Sequence, residues 1–343
     1  MISIALFNNR GGVGTTTLVY HLAHMLSRLG HSVLAVDLDP QASLTSLCLD
    51  EPELEELWNV CPEAAARDAA PASARRSGRA WEGHSVADAV RPALEGAGDA
   101  SPPQPVPLKA GLWLLPGSLG LGRFEDKLSA DWFRSLAGDA AAMRTTTALR
   151  HVVQRAAEGV DADVALIDVG PSLGALNRAA LLAADTVLTP LTADLFSAEG
   201  LSTMGPELHA WRGSWQTLTL SRSPSNRVVP AAPMTPLGYV IMQPEVRLDR
   251  PAEAYGSWRR RIPELYAAAV LDQLPPAHDD PYRFATLRNY RSLIPLAHDA
   301  RKPMFDLKAA DGALGSTQKY VQTCYREFRD LAENVLRRVD EVR

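Results

Sequence analysis

Short apolar runs alternate with segments of helical periodicity from the amino end of the chain onwards. Residues 2–7, ISIALF, form an apolar run with β-branched side chains and predict a buried strand. Apolar side chains then recur at helical spacing from Thr16 to Leu29, and Gly30 is expected to end that helix. The run SVLAVDLD, residues 32–39, predicts a second buried strand. This succession favours two parallel strands joined by a right-handed helical crossover.

The same alternation continues through most of the chain. Four further apolar runs predict strands at residues 111–118, 163–170, 185–191 and 236–243. Residues 173–183, LGALNRAALLA, predict a helix between two of these strands. Apolar strands that alternate with helices form parallel sheets covered on both faces. We therefore expect an α/β fold with a doubly wound, mostly parallel sheet flanked by helices, in a single domain over residues 1–343.

Three segments depart from this pattern. Residues 62–110 are rich in Ala, Pro, Ser and Gly and include the basic run ARRSGR, so we expect a surface insertion. Clusters of Ser, Pro and Arg at residues 213–235 predict a loop on the rim of the sheet. From Thr317 to Val342, apolar positions at heptad-like spacing among charged ones predict a C-terminal amphipathic helix.

Composition indicates a globular protein and argues against several other classes. Apolar residues make up 46% of the 343 residues, which suffices for a sizeable core. The formal net charge of −5 argues against wholesale wrapping of nucleic acid, although a local basic face is compatible with it. Cys48, Cys61 and Cys324 lack metal-type spacing and indicate reduced thiols in a cytoplasmic protein. We expect neither a signal peptide nor a membrane-spanning segment.

The main candidate for chemistry is FNNRGGVGTTTL, residues 7–18, between the first predicted strand and helix. Compared with the phosphate-binding pattern G-x-x-x-x-G-K-[ST], Thr15 stands at the lysine position and Thr16 at the Mg²⁺-binding hydroxyl. Glycines in such a loop let backbone N–H groups approach phosphate, and the following helix directs its positive end towards them. The predicted nucleotide-binding residues are Gly11, Gly12, Val13, Gly14, Thr15, Thr16 and Thr17.

The absence of the lysine removes one cationic contact to the β- and γ-phosphates. A charge-assisted hydrogen bond contributes roughly 1.5–3 kcal/mol, or about one to two decades of affinity. We therefore expect nucleotide binding to be weakened but retained. We expect the rate of hydrolysis to fall further than the affinity, because the same cation offsets charge on the departing phosphate.

Several motifs in order resemble those of the ParA/MinD family of partition and positioning ATPases, in its ParA-like branch. NNRGGVGTTT is similar to the family's deviant Walker A sequence, K-G-G-x-G-K-T-T, and VLAVDLDPQASLTSL to its switch I. LIDVGPSLGALNRAALLAAD resembles its Walker B and switch II, and PLTADLFSAEGL the segment that follows them. RSLIPLAHDARKPMFDL is similar to the stretch before its C-terminal helix. The resemblance covers nearly the whole chain and implies a P-loop NTPase fold that binds ATP or ADP with Mg²⁺.

The resemblance also implies roles for the matched polar residues. Arg10 stands at the position of the family's signature lysine, which reaches the partner's phosphates across a nucleotide-sandwich dimer. Arginine keeps that positive charge on a planar, fork-shaped guanidinium group. Asp39 matches the aspartate that orients the attacking water, so Arg10 and Asp39 are the predicted catalytic residues. Asp168 matches the Walker B carboxylate and Asp37 an aspartate near the metal. Thr16, Asp37 and Asp168 are thus the predicted Mg²⁺ site, although aspartates at these positions could also cap strand ends.

The run WRRRIPELY, from Trp258 to Tyr266, is the best candidate for a DNA-contacting surface. Proteins of the resembled family bind DNA non-specifically through basic faces of the dimer, which makes Arg259, Arg260 and Arg261 candidate phosphate contacts. The alternative is a helix face whose arginines pair with nearby acids. Those acids are Glu245, Asp249, Glu253 and Glu264.

These features predict a ParA-like ATP-binding switch that forms a homodimer on binding nucleotide. The dimer would contact non-specific DNA, a partner protein that stimulates turnover, or both, in the cytoplasm or on the nucleoid and not on a membrane. Thr15 predicts weak or lost hydrolysis, as in a natural pseudo-ATPase or in a chain altered to retain ATP. One alternative is a nucleotide-free scaffold with the same fold. Another is an enzyme of the amidoligase or dethiobiotin-synthetase type, against which Thr15 and the run DLDPQ at residues 37–41 both argue.

Overall fold

The computed structural model describes residues 1–58, 84–220, 233–242, 252–276, 279–290 and 292–342. Its strands are β1 (Ile2–Leu6), β2 (Val33–Asp37), β3 (Val106–Lys109), β4 (Leu112–Leu115), β5 (Val164–Asp168), β6 (Thr186–Leu191), β7 (Thr235–Met242) and β8 (Arg283–Leu287). They form one sheet in the order β3-β4-β2-β5-β1-β6-β7-β8. Every neighbouring pair is parallel except β3 with β4. The predicted doubly wound, mostly parallel sheet is confirmed.

Helices cover both faces of the sheet. In the described part of the chain they are α1 (Thr15–Arg28), α2 (Ser43–Cys48), α3 (Glu51–Trp58), α4 (Val86–Leu94), α5 (Phe124–Leu136), α6 (Ala140–Thr146), α7 (Ala148–Gly159), α8 (Ala175–Leu182), α9 (Leu195–Leu220), α10 (Ala252–Val270), α11 (Leu293–Ala300) and α12 (Ser316–Val342). Their apolar side chains form two core clusters with those of the strands. One cluster includes Phe7 and Trp215, and the other includes Leu22 and Phe328.

The centre of the sheet is buried on both faces. All residues of β1, β2, β5 and β6 are buried, which explains their continuous apolar runs. The strand register pairs Leu6 with Asp168 and Asp37 with Asp168. The carboxyl ends of β1, β2 and β5 therefore meet at one edge of the sheet, where open α/β sheets bind ligands.

Two strands that the apolar pattern did not predict lie at the edges of the sheet. In β3 the side chains of Pro107 and Lys109 are exposed, and in β8 that of Arg283 is exposed. An edge strand contacts the core on fewer sides than a central one, so its sequence lacks a continuous apolar run. This is why the prediction contained fewer strands than the structure.

The segments predicted as irregular contain more regular structure than expected. Within residues 62–110, residues 62–83 lie outside the described part, but α4 and β3 follow them. The loop prediction for residues 213–235 is wrong over its first part, because α9 continues to Leu220. Trp211, Trp215 and Leu218 are buried along one side of that helix and account for its length. Residues 221–232 lie outside the described part.

Helix α1 is attached to the C-terminal part of the chain through His21. The backbone N–H of Met304 donates to His21 Nε2 at 3.0 Å, and His21 Nδ1 lies 2.7 Å from the carbonyl oxygen of Thr17. Burial lowers the pKa of His21 to about 4, so the ring is neutral and carries its proton on Nδ1. Helix α12 packs against α1 and confirms the predicted C-terminal helix.

Two further expectations concern the thiols and the membrane. Cys48 and Cys324 are free, and Cys61 lies outside the described residues. No helix in the described part of the chain is long and apolar enough to cross a membrane.

Candidate functional site

The glycine-rich segment joins the carboxyl end of β1 to the first turn of α1. Gly12 and Gly14 have φ angles of +78° and +91°, which side chains other than glycine rarely adopt. Gly14 is the N-cap of α1, and no side-chain hydrogen bond caps this helix end. A Cβ on Gly14 would also lie only 3.3 Å from Met242 Cε. The first N–H groups of α1 therefore remain available to an anion in front of the helix.

A cavity of about 480 Å³ opens in front of this loop. Its volume lies in the range of small-molecule sites. Its lining is Arg10, Gly11, Gly12, Gly14, Thr15, Thr16, Thr17, Asp39, Gln41, Ser43, Ser46, Leu47, Val169, Pro171 and His298. Of the predicted loop residues, Val13 does not line the cavity and is buried instead. Gln41, Ser46 and His298 were not predicted as site residues, although each lies within a motif segment that the sequence analysis identified.

Asp168 ends β5 with its carboxylate fully buried. Neither of its oxygens accepts a well-formed hydrogen bond from the described residues. Burial raises the pKa of Asp168 well above its usual value, and the charge of Asp37 adds to this, while the nearby Thr16 hydroxyl opposes it. A buried carboxylate without a donor is a suitable partner for a cation or for water bound to one.

Asp37 is also fully buried, but its carboxylate already has partners. Thr45 donates to Asp37 Oδ2 from its backbone N–H at 2.8 Å and from its hydroxyl at 2.7 Å. These bonds attach the end of β2 to helix α2. Burial raises the pKa of Asp37 to about 6 although the bonds from Thr45 lower it. Asp37 lies beside Asp168 in the sheet, and neither of these two residues lines the cavity.

Asp39 lies at the wall of the cavity, next to the β5–α8 loop (residues 169–174). Its Oδ1 accepts a hydrogen bond from the backbone N–H of Gln41 at 2.9 Å. A Cβ on Gly170 would lie 2.9 Å from the same oxygen, so glycine is required for this approach. A Cβ on Gly11 would lie 3.6 Å from Pro171 Cγ, so Pro171 of the same loop lies close to Gly11. The segments that follow β1, β2 and β5 thus meet around one space.

The described residues contain no group of three or more His, Cys, Asp or Glu side chains that could hold a metal ion by itself. Mg²⁺ in nucleotide sites usually takes one or two protein ligands and completes its shell with phosphate oxygens and water. The unpartnered Asp168 carboxylate and the Thr16 hydroxyl fit that requirement. Asp37 fits it less well, because its Oδ2 accepts from Thr45 and its Oδ1 accepts from the backbone N–H of Asp39 at 3.2 Å. Its bonds to Thr45 support the position of α2.

Arg10 projects from the loop but is held within its own chain. Its Nη1 lies 2.7 and 2.8 Å from the two carboxylate oxygens of Asp194 and donates to Thr192 Oγ1 at 3.1 Å. Burial alone would raise the pKa of Asp194, but hydrogen bonds from Arg10, Ser197 and Thr192 bring it below its usual value. Sequence reasoning assigned Arg10 a role but did not find Asp194, which lies 184 residues away.

Two exposed apolar side chains follow Asp194 at the start of α9. Leu195 and Phe196 are 55% and 57% exposed, and as neighbours they form a continuous apolar area on the surface. The Arg10 guanidinium lies 5.0 Å from the centroid of the Phe196 ring. Arg10, Leu195 and Phe196 therefore form one surface beside the cavity, which we call the Phe196 surface.

The predicted basic patch lies on α10. Arg259, Arg260 and Arg261 are exposed, and Arg261 lies over the Trp258 ring at 4.6 Å from its centroid. No acidic side chain in the described part of the chain forms an ion pair with them, Glu264 included. Of the other predicted partners, Glu245 and Asp249 lie outside the described residues, as does the side chain of Glu253.

The basic patch lies towards the same end of the molecule as the cavity. Helices α9 and α10 each connect two parallel strands and therefore run antiparallel to them, in the same direction as each other. The two helices pack closely where Gly205 faces the carbonyl oxygen of Ala269. Ser197 lies eight residues before Gly205 on α9, and Arg261 lies eight residues before Ala269 on α10. Arg261 is therefore roughly level with the Phe196 surface.

The chain is similar to known proteins over most of its length. Residues 4–340 match the CobQ/CobB/MinD/ParA nucleotide binding domain. The chain is 27% identical over 201 residues to the sporulation initiation inhibitor protein Soj of Bacillus subtilis, and the match covers 58% of this chain and 61% of Soj. It is 27% identical over 212 residues to the chromosome partitioning protein ParA of Caulobacter vibrioides, covering 62% of this chain and 63% of that protein. The match spans less than half the length of several other curated relatives.

A solved structure shares the whole fold. Protein DIP2308 from Corynebacterium diphtheriae superposes with a TM-score of 0.72 and 23% sequence identity, and the match covers 100% of both chains. At this identity the similarity concerns the arrangement of strands and helices and not the chemistry of the cavity.

Proposed function

Because the chain belongs to the CobQ/CobB/MinD/ParA family of nucleotide-binding domains, we propose that it is a ParA-like switch that binds ATP or ADP with Mg²⁺ and dimerises on binding ATP. The observation that carries this proposal is the uncapped start of α1 behind a loop with Gly12 and Gly14 at positive φ, facing a cavity of about 480 Å³. Phosphate groups are the anions that such a helix start and loop bind best.

In this proposal the loop holds the phosphates with its backbone N–H groups and with the hydroxyls of Thr15, Thr16 and Thr17. Thr16 and Asp168 would hold Mg²⁺, which supplies positive charge against the phosphate oxygens. Asp39, at the wall of the cavity, would orient a water molecule towards the last phosphate. Since Thr15 carries no charge, hydrolysis in this chain is weak or absent.

We assign the Phe196 surface to contact with a second copy of the chain. A dimer that faces two nucleotides towards each other buries the region beside the cavity and needs a cation near the phosphates. Leu195 and Phe196 supply exposed apolar area, and Arg10 supplies the charge. Arg10 would exchange its bonds to Asp194 for phosphate oxygens across the dimer.

Partners of the dimer are assigned from charge and from the relatives. The exposed arginines of α10 make that helix the proposed contact with DNA phosphates. The names of Soj and ParA refer to sporulation initiation and chromosome partitioning, respectively. We extend a role in partition or positioning to this chain, together with a partner protein that stimulates turnover, in the cytoplasm or on the nucleoid.

The test of nucleotide binding is calorimetric titration of ATP and of ADP, each with and without Mg²⁺. The cavity contains the carboxylate of Asp39 and lacks the loop lysine, so we expect Mg²⁺ to tighten ATP binding at least about tenfold. The absence of binding under all four conditions would contradict the proposal and favour a nucleotide-free scaffold. Tight binding by a permanently monomeric protein would instead favour an enzyme of the amidoligase type.

DNA binding by α10 predicts a specific salt dependence. Replacing Arg259, Arg260 and Arg261 together with alanine should weaken binding to duplex DNA of any sequence. The slope of log affinity against log salt concentration should fall by about 0.9 for each lost phosphate contact, or ~2–3 in all. Fluorescence anisotropy with labelled duplex, measured at several salt concentrations with Mg²⁺–ATP present, gives this slope.

A matched control removes the same charge from another helix. Arg326, Arg329 and Arg337 are exposed on α12, and their replacement by alanine changes the net charge by the same amount. This control should retain the slope of the unmodified protein. If both triple variants lose the same affinity, the effect comes from overall charge and α10 is not the contact.

A further inference from the structure

We propose that Glu125 of α5 is a positioning residue for the β5–α8 loop, and that it gives the cavity its preference for a third phosphate. The residue does not line the cavity, and its action would pass through helix α8. This inference rests on the proposed nucleotide-binding function.

The side chain of Glu125 caps the start of α8. Its Oε1 accepts a hydrogen bond from the backbone N–H of Ala175 at 2.6 Å, and its Oε2 accepts one from Leu176 at 2.6 Å. Helix α8 has no side-chain cap of its own, because its N-cap residue is Gly174. A Cβ on Gly174 would lie 2.7 Å from Glu125 Oε1, so the glycine makes room for the carboxylate. Both oxygens of a charged group are thus used on one helix end, which is a strong form of capping.

Helix α8 in turn holds the β5–α8 loop. The Asn177 side-chain amide in its first turn donates to the carbonyl oxygen of Gly170 at 2.5 Å and to that of Ser172 at 2.8 Å. Gly170 lies against Asp39, and Pro171 lies against Gly11. A continuous set of contacts therefore leads from Glu125 to the wall of the cavity.

A second contact between α5 and α8 supports the same geometry. The Arg178 guanidinium of α8 lies 4.2 Å from the centroid of the Trp132 ring of α5. Burial lowers the pKa of Arg178, and the charge of Glu125 opposes that effect. Trp132 is buried in this contact, so its fluorescence can report a movement of α8 relative to α5.

The consequence for ligands follows from the position of the loop. ATP carries one phosphate more than ADP, and in the proposed binding mode that phosphate lies at the wall formed by Gly11, Asp39 and Pro171. Removing the Glu125 carboxylate would release the start of α8 and with it this wall. ATP should lose more affinity than ADP, whereas a loss of overall stability would affect both nucleotides alike.

The experiment compares Glu125→Ala, Glu125→Gln and the control Asp126→Ala by calorimetric titration of Mg²⁺–ATP and Mg²⁺–ADP. Asp126 is exposed in the same turn of α5, whereas the N–H groups of Ala175 and Leu176 donate to Glu125. We expect Glu125→Ala to weaken ATP binding about tenfold and ADP binding less than about threefold. Glu125→Gln should give an intermediate loss, since the amide keeps one acceptor oxygen. Asp126→Ala should bind both nucleotides within about twofold of the unmodified protein.

Trp132 provides a readout that does not depend on affinity. Saturating Mg²⁺–ATP should change the tryptophan fluorescence of the unmodified protein. The part of this change that Trp132→Phe lacks comes from Trp132. In Glu125→Ala that part should be smaller by at least about half. The proposal is overturned if Glu125→Ala weakens ATP binding and ADP binding equally, or weakens neither. If Glu125→Ala does not fold, the same comparison is made with Glu125→Gln. An unmodified protein that binds no nucleotide instead refutes the proposed function and with it this inference.

Discussion

Replacing Thr15 with lysine should raise the steady-state rate of ATP hydrolysis at least about tenfold, from a rate near background. Thr15 is the first residue of α1 and lines the cavity. Among the lining residues Arg10 is the one with a permanent positive charge, and it is bound by Asp194. A lysine at position 15 would add a cation beside the departing phosphate. A tenfold rate increase corresponds to about 1.4 kcal/mol, within the range of one charge-assisted hydrogen bond.

Two further variants separate the charge from other effects of the substitution. Thr15→Ala removes the hydroxyl without adding a cation and should hydrolyse ATP within about twofold of the unmodified protein. Adding Asp39→Ala to Thr15→Lys should return the rate to background, because Asp39 would no longer orient the water. A coupled phosphate-release assay measures all of these rates. An unmodified protein that already hydrolyses ATP as fast as Thr15→Lys would show that the missing lysine does not limit turnover.

Replacing Arg10 with alanine should abolish the ATP-dependent dimer and leave ATP binding by the monomer within about threefold. Two nucleotides that face each other repel unless a cation lies between them, and Thr15 provides none. The guanidinium of Arg10 is permanently charged and binds phosphate with two parallel donors. Its side chain is 36% exposed, so it can leave Asp194 without unfolding its surroundings. Sedimentation velocity with saturating Mg²⁺–ATP measures the loss of the dimer.

Conservative variants test whether this effect belongs to the charge. Arg10→Lys keeps the cation and should still dimerise. Asp194→Asn should free Arg10 while keeping an oxygen that accepts from the Ser197 N–H, as Asp194 Oδ1 does at 2.9 Å. The side chains of this ion pair are 36% exposed for Arg10 and 10% exposed for Asp194. Surface ion pairs contribute up to about 1 kcal/mol, so this variant should tighten the dimer by about fivefold. Dimerisation of Arg10→Ala at the unmodified affinity would exclude Arg10 from the interface.

The central part of the fold could be predicted from the sequence because its strands are buried on both faces. β1, β2, β5 and β6 are predominantly apolar runs, and glycine lies in the turns beside the first three. β3 and β8 could not be predicted in this way, since only some of their side chains are buried. The end of α9 was predicted as a loop because Ser and Arg follow it closely, although Trp215 and Leu218 continue its buried side.

The candidate site likewise contains residues that the sequence predicts and residues that it does not. The loop, Thr16 and Asp168 are marked by their spacing and by their place at the ends of buried strands, so the sequence alone predicts them as candidate site residues. The bond between Arg10 and Asp194 depends on how β1 and β6 lie side by side in the sheet, and no local pattern contains that information. The same holds for Glu125, whose partners are the N–H groups of a helix 50 residues later. Residues that act on the loop from other elements become visible only in three dimensions.

Light scattering on the unmodified protein tests most directly whether nucleotide drives dimerisation. The protein should have the mass of one chain, 37.1 kDa, alone and with Mg²⁺–ADP, and twice that mass with saturating Mg²⁺–ATP. Removing Mg²⁺ with a chelator should return it to one chain. A mass of one chain with ATP shown to be bound, or a dimer that forms equally without nucleotide, would contradict the proposed switch.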